Sequence, residues 1–150
     1  MFRISRRLDY GLQLMIALAA EPENRAQATA ILADKLQIPL PFLHQIGRSL
    51  IQGRLIKATP GPHGGLRLNA SPDDITLLQI VETLEGPVCI APNMDEDGQR
   101  QENCVSTGVW SGLQNRLVEY LSGIRLSSLL TEEILPVLEY ASYGTNGKSQ

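Results

Sequence analysis

The stretch that decides the fold runs over residues 26–52, AQATAILADKLQIPLPFLHQIGRSLIQ. Apolar residues recur at helical spacing on both sides of a short break, Gln37-Ile38-Pro39. Before the break, Ala28, Ile31, Leu32 and Leu36 make the inward face of a helix expected over residues 26–36. After it, Pro41 suits the first turn of the next helix, where a missing N–H costs nothing. Phe42, Leu43, Ile46 and Leu50 form the buried face of that helix, which leaves His44, Gln45, Arg48 and Gln52 on the other. Two short helices joined by a tight turn are a helix-turn-helix. A second helix with such an outward face can reach base edges and phosphates.

Working outward, Leu55-Ile56-Lys57-Ala58 and Leu66-Arg67-Leu68 read as two short strands. Thr59-Pro60-Gly61-Pro62-His63-Gly64-Gly65 between them is dense in turn formers, so a β-hairpin is expected directly after the helix-turn-helix. Upstream, Ser5 can cap a first helix with Leu8, Leu12, Met15, Ile16 and Ala19 on one stripe, ended by Glu21-Pro22-Glu23-Asn24. Downstream, Thr76 and Gln79 make a capping box, Ile75 and Ile80 a hydrophobic staple, and Gly86 a stop signal. Residues 87–103 lack periodicity and read as a loop. A long helix begins near Cys104, with Val109, Leu113, Leu117 and Leu121 at steps of four and Trp110, Tyr120 and Ile124 widening the stripe. That stripe follows a module with its own core, so Trp110, Leu113, Leu117 and Leu121 are expected at a homodimer seam. Packing back onto the same subunit is the alternative. A last helix is expected over residues 131–143, interrupted near Pro136, and a frayed tail over 144–150.

Charge adds a direction. Residues 1–70 hold nine Lys and Arg against four acids, a net of +5, while residues 71–150 hold four against twelve, a net of −8. A basic front half calls for a polyanion, which the overall charge of −3 conceals. Arg3, Arg6 and Arg7 at the start of the first helix, with Lys57, can neutralise phosphates. His63 and Arg67 of the hairpin are candidates for the minor groove. No apolar run approaches a membrane span and no signal peptide is visible, so no membrane partner and a cytoplasmic location are expected. The fold class read from this pattern is mostly α with a small β-hairpin wing.

Together the residues resemble the Rrf-two (BadM, IscR, NsrR-type) regulators. The resemblance rests on Ala30-Ile31-Leu32-Ala33, Ile38, Phe42-Leu43-His44-Gln45-Ile46, Leu50, Leu55-Ile56-Lys57, Gly61, Gly64-Gly65 and Asp73-Asp74-Ile75-Thr76-Leu77. It continues through Val81-Glu82-Thr83-Leu84-Glu85-Gly86-Pro87 and resumes at Cys104, Trp110 and Leu113. It implies a dimeric winged helix-turn-helix transcription factor on double-stranded DNA, with the third helix in the major groove and the wing in the minor groove. The implied organisation is a DNA-binding domain over 1–86, a sensor loop over 87–103, a dimerisation helix and C-terminal helix over 104–143, and a tail over 144–150. His44 and Gln45 fall where IscR-like members contact bases, and the first of these positions is commonly acidic in them. Pro60 stands where the family often has an Arg before the first wing glycine.

Many members carry an iron–sulfur cluster in the loop, held by three closely spaced cysteines. This chain has two, Cys89 and Cys104. Cys104 matches the last family cysteine because Trp110 follows at the expected distance; Cys89 sits earlier than the pattern, and the family spacing counted back lands on Gly98 and Pro92. A histidine that some members place after the last cysteine is Thr107 here. Some members donate an acidic ligand from the first helix of the other subunit, and Asp9 falls at that position. Cys89, Cys104 and Asp9 are therefore candidate ligands for a cluster, 2Fe–2S rather than 4Fe–4S, with the fourth ligand unassigned. A redox-active thiol pair and inert cysteines are the alternatives. The other functional readings are a cluster-free regulator that senses a protein partner or small ligand, and an enzyme. The enzyme is excluded because His44 and His63 fall in DNA-facing elements and no nucleophile–base–orienter set is present.

Overall fold

The structure is a computed structural model that describes residues 3–90 and 105–131. Chain order is α1 (Arg6–Ala19), a 3-10 turn (Pro22–Asn24), α2 (Thr29–Leu36), α3 (Leu40–Gln52), β1 (Ile56–Thr59), β2 (Gly65–Leu68), α4 (Leu77–Glu85), α5 (Val105–Gly123) and a second 3-10 turn (Leu126–Leu130). Cys104, the helix expected over 131–143 apart from Thr131, and the tail over 144–150 lie outside the described residues.

Helix α1 begins where Ser5 accepts the Leu8 N–H at 3.0 Å, an N-cap that satisfies one orphan donor. Its burial is broader than the expected stripe: Gly11, Leu14, Met15, Ala17 and Leu18 are buried, while Leu8, Leu12, Ile16 and Ala19 pack half-exposed around them. The helix touches α2, α3, α4, β2 and the second 3-10 turn, so more than one of its faces meets the core.

Helix α2 starts three residues later than periodicity suggests. Residues 26–28 are drawn into the sheet edge, where Gln27 exchanges both backbone hydrogen bonds with Leu66 at 2.9 and 2.8 Å. Leu32 and Ala33 turn inward and Ile31 does not; it is 64% exposed, against the expectation from spacing. Gln37, with φ 55°, closes α2 in the left-handed conformation, and the Ile38 N–H returns to the Ala33 carbonyl at 3.0 Å. Ile38 is then buried in the turn, which fixes how α3 leaves α2. Leu43, Ile46, Gly47 and Leu50 of α3 are buried as patterned.

The hairpin pairs Ile56 with Leu68, Lys57 with Arg67, Ala58 with Leu66 and Thr59 with Gly65, antiparallel. Its root needs glycine. A Cβ at Gly65, φ 150°, would lie 2.0 Å from the Gln27 carbonyl oxygen. On the same strand Asn24 acts as a pairing partner: its Nδ2 donates to the Leu68 carbonyl and its Oδ1 accepts the Leu68 N–H, both at 3.0 Å.

Helix α4 carries the capping box of Thr76 and Gln79, with Ile75 and Ile80 buried beneath it, and ends at Gly86, φ 86°. The chain returns to this helix after α5. The Leu77 N–H, an orphan donor of the first turn, bonds the Ile124 carbonyl at 2.9 Å, and the Leu126 N–H bonds the Ile75 carbonyl at 2.8 Å. Ile124 thus lies past the end of α5 and does not extend its stripe. Leu126 is 0% exposed, inside one core with Leu14, Leu18, Leu32, Leu43, Ile46, Leu50, Ile56 and Ile80.

Candidate nucleic-acid interface

Helix α3 owes its amphipathic character to burial of Leu43, Ile46 and Leu50 every third or fourth residue, which forces the residues between them outward. His44, Gln45, Arg48 and Gln52 are all exposed. Leu40 and Pro41, at the start of the helix, are exposed too and add an apolar lip. Apolar contacts of that kind meet thymine methyls in major grooves.

The basic residues divide into two groups. Arg3, Arg6, Arg48 and Lys57 are exposed. Arg7 is not aimed outward: its Nε–H donates to the Leu84 carbonyl at 3.1 Å and its Nη2 donates to Ser49 Oγ at 2.5 Å. Arg67 on β2 is half-buried, and its Nε has no hydrogen-bond partner among the described residues. It lines a cleft of about 630 Å³ between hairpin and α2, together with Arg25, Ile31, Pro62 and His63. Glu23 in that cleft pairs with Arg25 at 3.1 Å, an exposed ion pair of small energetic value. His63 is exposed at the hairpin tip.

Away from this surface, the expected seam residues sit on α5. Trp110 and Leu113 are 42% and 40% exposed, Val109 and Tyr120 are exposed as well, and Leu117 and Leu121 are half-buried. The opposite side of α5 packs on α4, with Ser111 buried. Among the described residues, much of the apolar stripe is therefore left uncovered.

Of the loop expected over residues 87–103, residues 87–90 are described, and the Ile90 N–H donates to Gln114 Oε1 at 3.0 Å. Cys89, one residue before that tie, is exposed. Asp9 is exposed on the first turn of α1 and accepts Gln13 Nε2 at 2.9 Å. Among the described residues no group of three or more His, Cys, Asp or Glu gathers as a metal site. The chain has two thiols in all, and with Asp9 they fall one donor short of a four-ligand cluster. No described helix is long and apolar enough to cross a membrane.

Residues 4–132 match the family model Rrf2, described as an iron-dependent transcriptional regulator. The chain is 25% identical over 131 residues to the HTH-type transcriptional regulator IscR of Aliivibrio salmonicida, covering 87% of this chain and 78% of that protein. Its fold is similar to CymR, the global cysteine regulator of B. subtilis, with a TM-score of 0.73, 27% identity, and 87% and 97% of the two chains covered. It is also similar to IscR of T. potens, with a TM-score of 0.70 at 23% identity over 99% and 94% of the chains, a likeness of fold alone. These relatives are regulators, not enzymes.

Proposed function

The chain belongs to the Rrf2 family of transcriptional regulators, and from that premise we propose that it is a homodimer that reads a palindromic operator in double-stranded DNA. The observation that carries this reading is the outward face of α3. His44 and Gln45 there offer base-edge contacts, with Arg48 and Gln52 beside them, and a hairpin bearing Lys57 follows directly. Arg6 and Lys57 neutralise phosphates at the flanks, while His63 and Arg67 enter the minor groove. The exposed apolar face of α5 supports the dimer, through Trp110 and Leu113 with Leu117 and Leu121. Two related subunits then present two recognition helices to two half-sites. DNA as the target makes the cytoplasm the place of action.

The signal enters through the segment between α4 and α5 that carries Cys89 and Cys104. Membership of a family of iron-dependent transcriptional regulators supports an iron-linked input there. The donor count favours a thiol response unless a further ligand completes a cluster with Asp9 of the second subunit. Selection of genomic fragments by the full-length protein, followed by footprinting, tests the DNA reading; a dimer with no preference for any fragment overturns it. Iron and sulfide assay after anaerobic purification tests the input. Iron-free protein whose Cys89→Ala and Cys104→Ala variants bind like wild type in reducing and oxidising buffer removes the loop as sensor.

A further inference from the structure

The basic residue that α1 turns inward connects two parts of the molecule whose relation the proposed function depends on. Arg7 reaches from the first turn of α1 to the last turn of α4 and to α3, through the Leu84 carbonyl and the Ser49 hydroxyl. Ser49 in turn donates to the carbonyl of Gln45, at 3.3 Å, one turn earlier on α3. Guanidinium is suited to this because its planar fork holds two acceptors at fixed separation, and a cation is favourable at a helix C-terminus.

The end of α4 is clamped on other sides as well. Ser5 donates its hydroxyl to Glu85 Oε1. Thr83 lies so close to Gly53, at the end of α3, that a Cβ there would be 2.4 Å from its Cγ2. Leu84 lies equally close to Gly11 of α1. Directly after this clamped turn the chain passes Gly86 and enters the loop of Cys89, which is tied to α5 at Ile90. Leu84 is thus joined to α3 through Arg7, and Thr83 meets the end of α3 directly.

We propose that Arg7 is a positioning residue, not a phosphate contact: it fixes the recognition helix to the end of α4 and so sets the angle at which α3 meets DNA. This rests on the DNA-binding reading above. It rests on a two-sided contact, to the Leu84 carbonyl on one side and the Ser49 hydroxyl on the other.

The test uses full-length protein and its selected duplex. Arg7→Ala is expected to lower operator affinity by roughly 5- to 150-fold, the range typical of a coupled conformational step. Ser49→Ala should act in the same direction, and the double variant should lose no more than the worse single variant. The dependence of log K on log salt should keep its wild-type slope, because no phosphate contact is removed. Arg7→Lys should not restore affinity, since an ammonium lacks the fork, although it would serve well at a phosphate. In DNA-free protein, amide exchange should rise together at the end of α3 and the last turn of α4 in Arg7→Ala. A slope flattened by about 0.9, rescue by Lys, and wild-type binding by Ser49→Ala would make Arg7 a phosphate contact and overturn the proposal. Failure of wild type to bind any duplex sinks the DNA reading, and unchanged exchange in Arg7→Ala sinks the strut by itself.

Discussion

Asn24 supplies with its side chain what a neighbouring strand would supply with its backbone, two hydrogen bonds to Leu68 in a part-buried setting. Asn24→Ala should strand both polar groups of Leu68 and cost about 1–3 kcal/mol, read as a lower urea midpoint at unchanged slope. At the protein surface the exposed readers carry different expectations. Gln45→Ala should relax sequence preference with a modest change in affinity. Arg48→Ala should weaken binding to all duplexes alike and flatten the salt slope by about one charge, in titrations at several salt concentrations. The outward residues of α3 were legible in the sequence because burial of Leu43, Ile46 and Leu50 leaves no other place for them. The inward turn of Arg7 was not. Nothing in Arg6-Arg7 distinguishes the two arginines, and the acceptors that capture the second come from positions 42 and 77 residues away.

Elements were legible where their end signals are local. The Thr76–Gln79 capping box and Gly86 bound α4 as read, and Thr76→Ala should cost about 0.5–2 kcal/mol in thermal or urea unfolding. The hairpin followed from its turn formers and its alternating burial, with Leu66 and Leu68 inward. The start of α2 failed because the competition there is tertiary. Residues 26–28 have helical composition, but Gln27 finds backbone partners on Leu66, and its side-chain Nε2 donates to the Ala17 carbonyl at 3.3 Å. Ile31, on the same helix, also lies outside. Gly65 belongs with Gln27, since their backbones touch; Gly65→Ala should push the two apart and destabilise the hairpin root, seen as faster amide exchange at Leu66.

In the whole molecule, the charge division seen in the sequence matches a division of elements, with the recognition helix and hairpin in the basic half and α4 and α5 in the acidic half. Leu117→Asp should place a charge in the α5 stripe and cost ~3 kcal/mol or more if the seam is dry, giving monomer or aggregate in light scattering. An unchanged dimer that still binds its operator would mean that α5 serves its own subunit alone. The return of the chain after α5 bears on a different practice, the building of chimaeras. Residues 1–86 invite transplantation as a ready-made reading head, yet Leu126 fills their interior and the Ile124 and Leu126 backbone groups close the N-terminal turn of α4. A fusion that replaces everything beyond residue 86 with a foreign sensor would begin with that space empty and those bonds open, a loss comparable to the ~2–5 kcal/mol of a buried leucine truncated to alanine. Grafts joined on both sides of the α5 helix, keeping Ile124, Arg125 and Leu126 at the outgoing junction, retain the closure, so this reading head is portable only when it carries its far end with it.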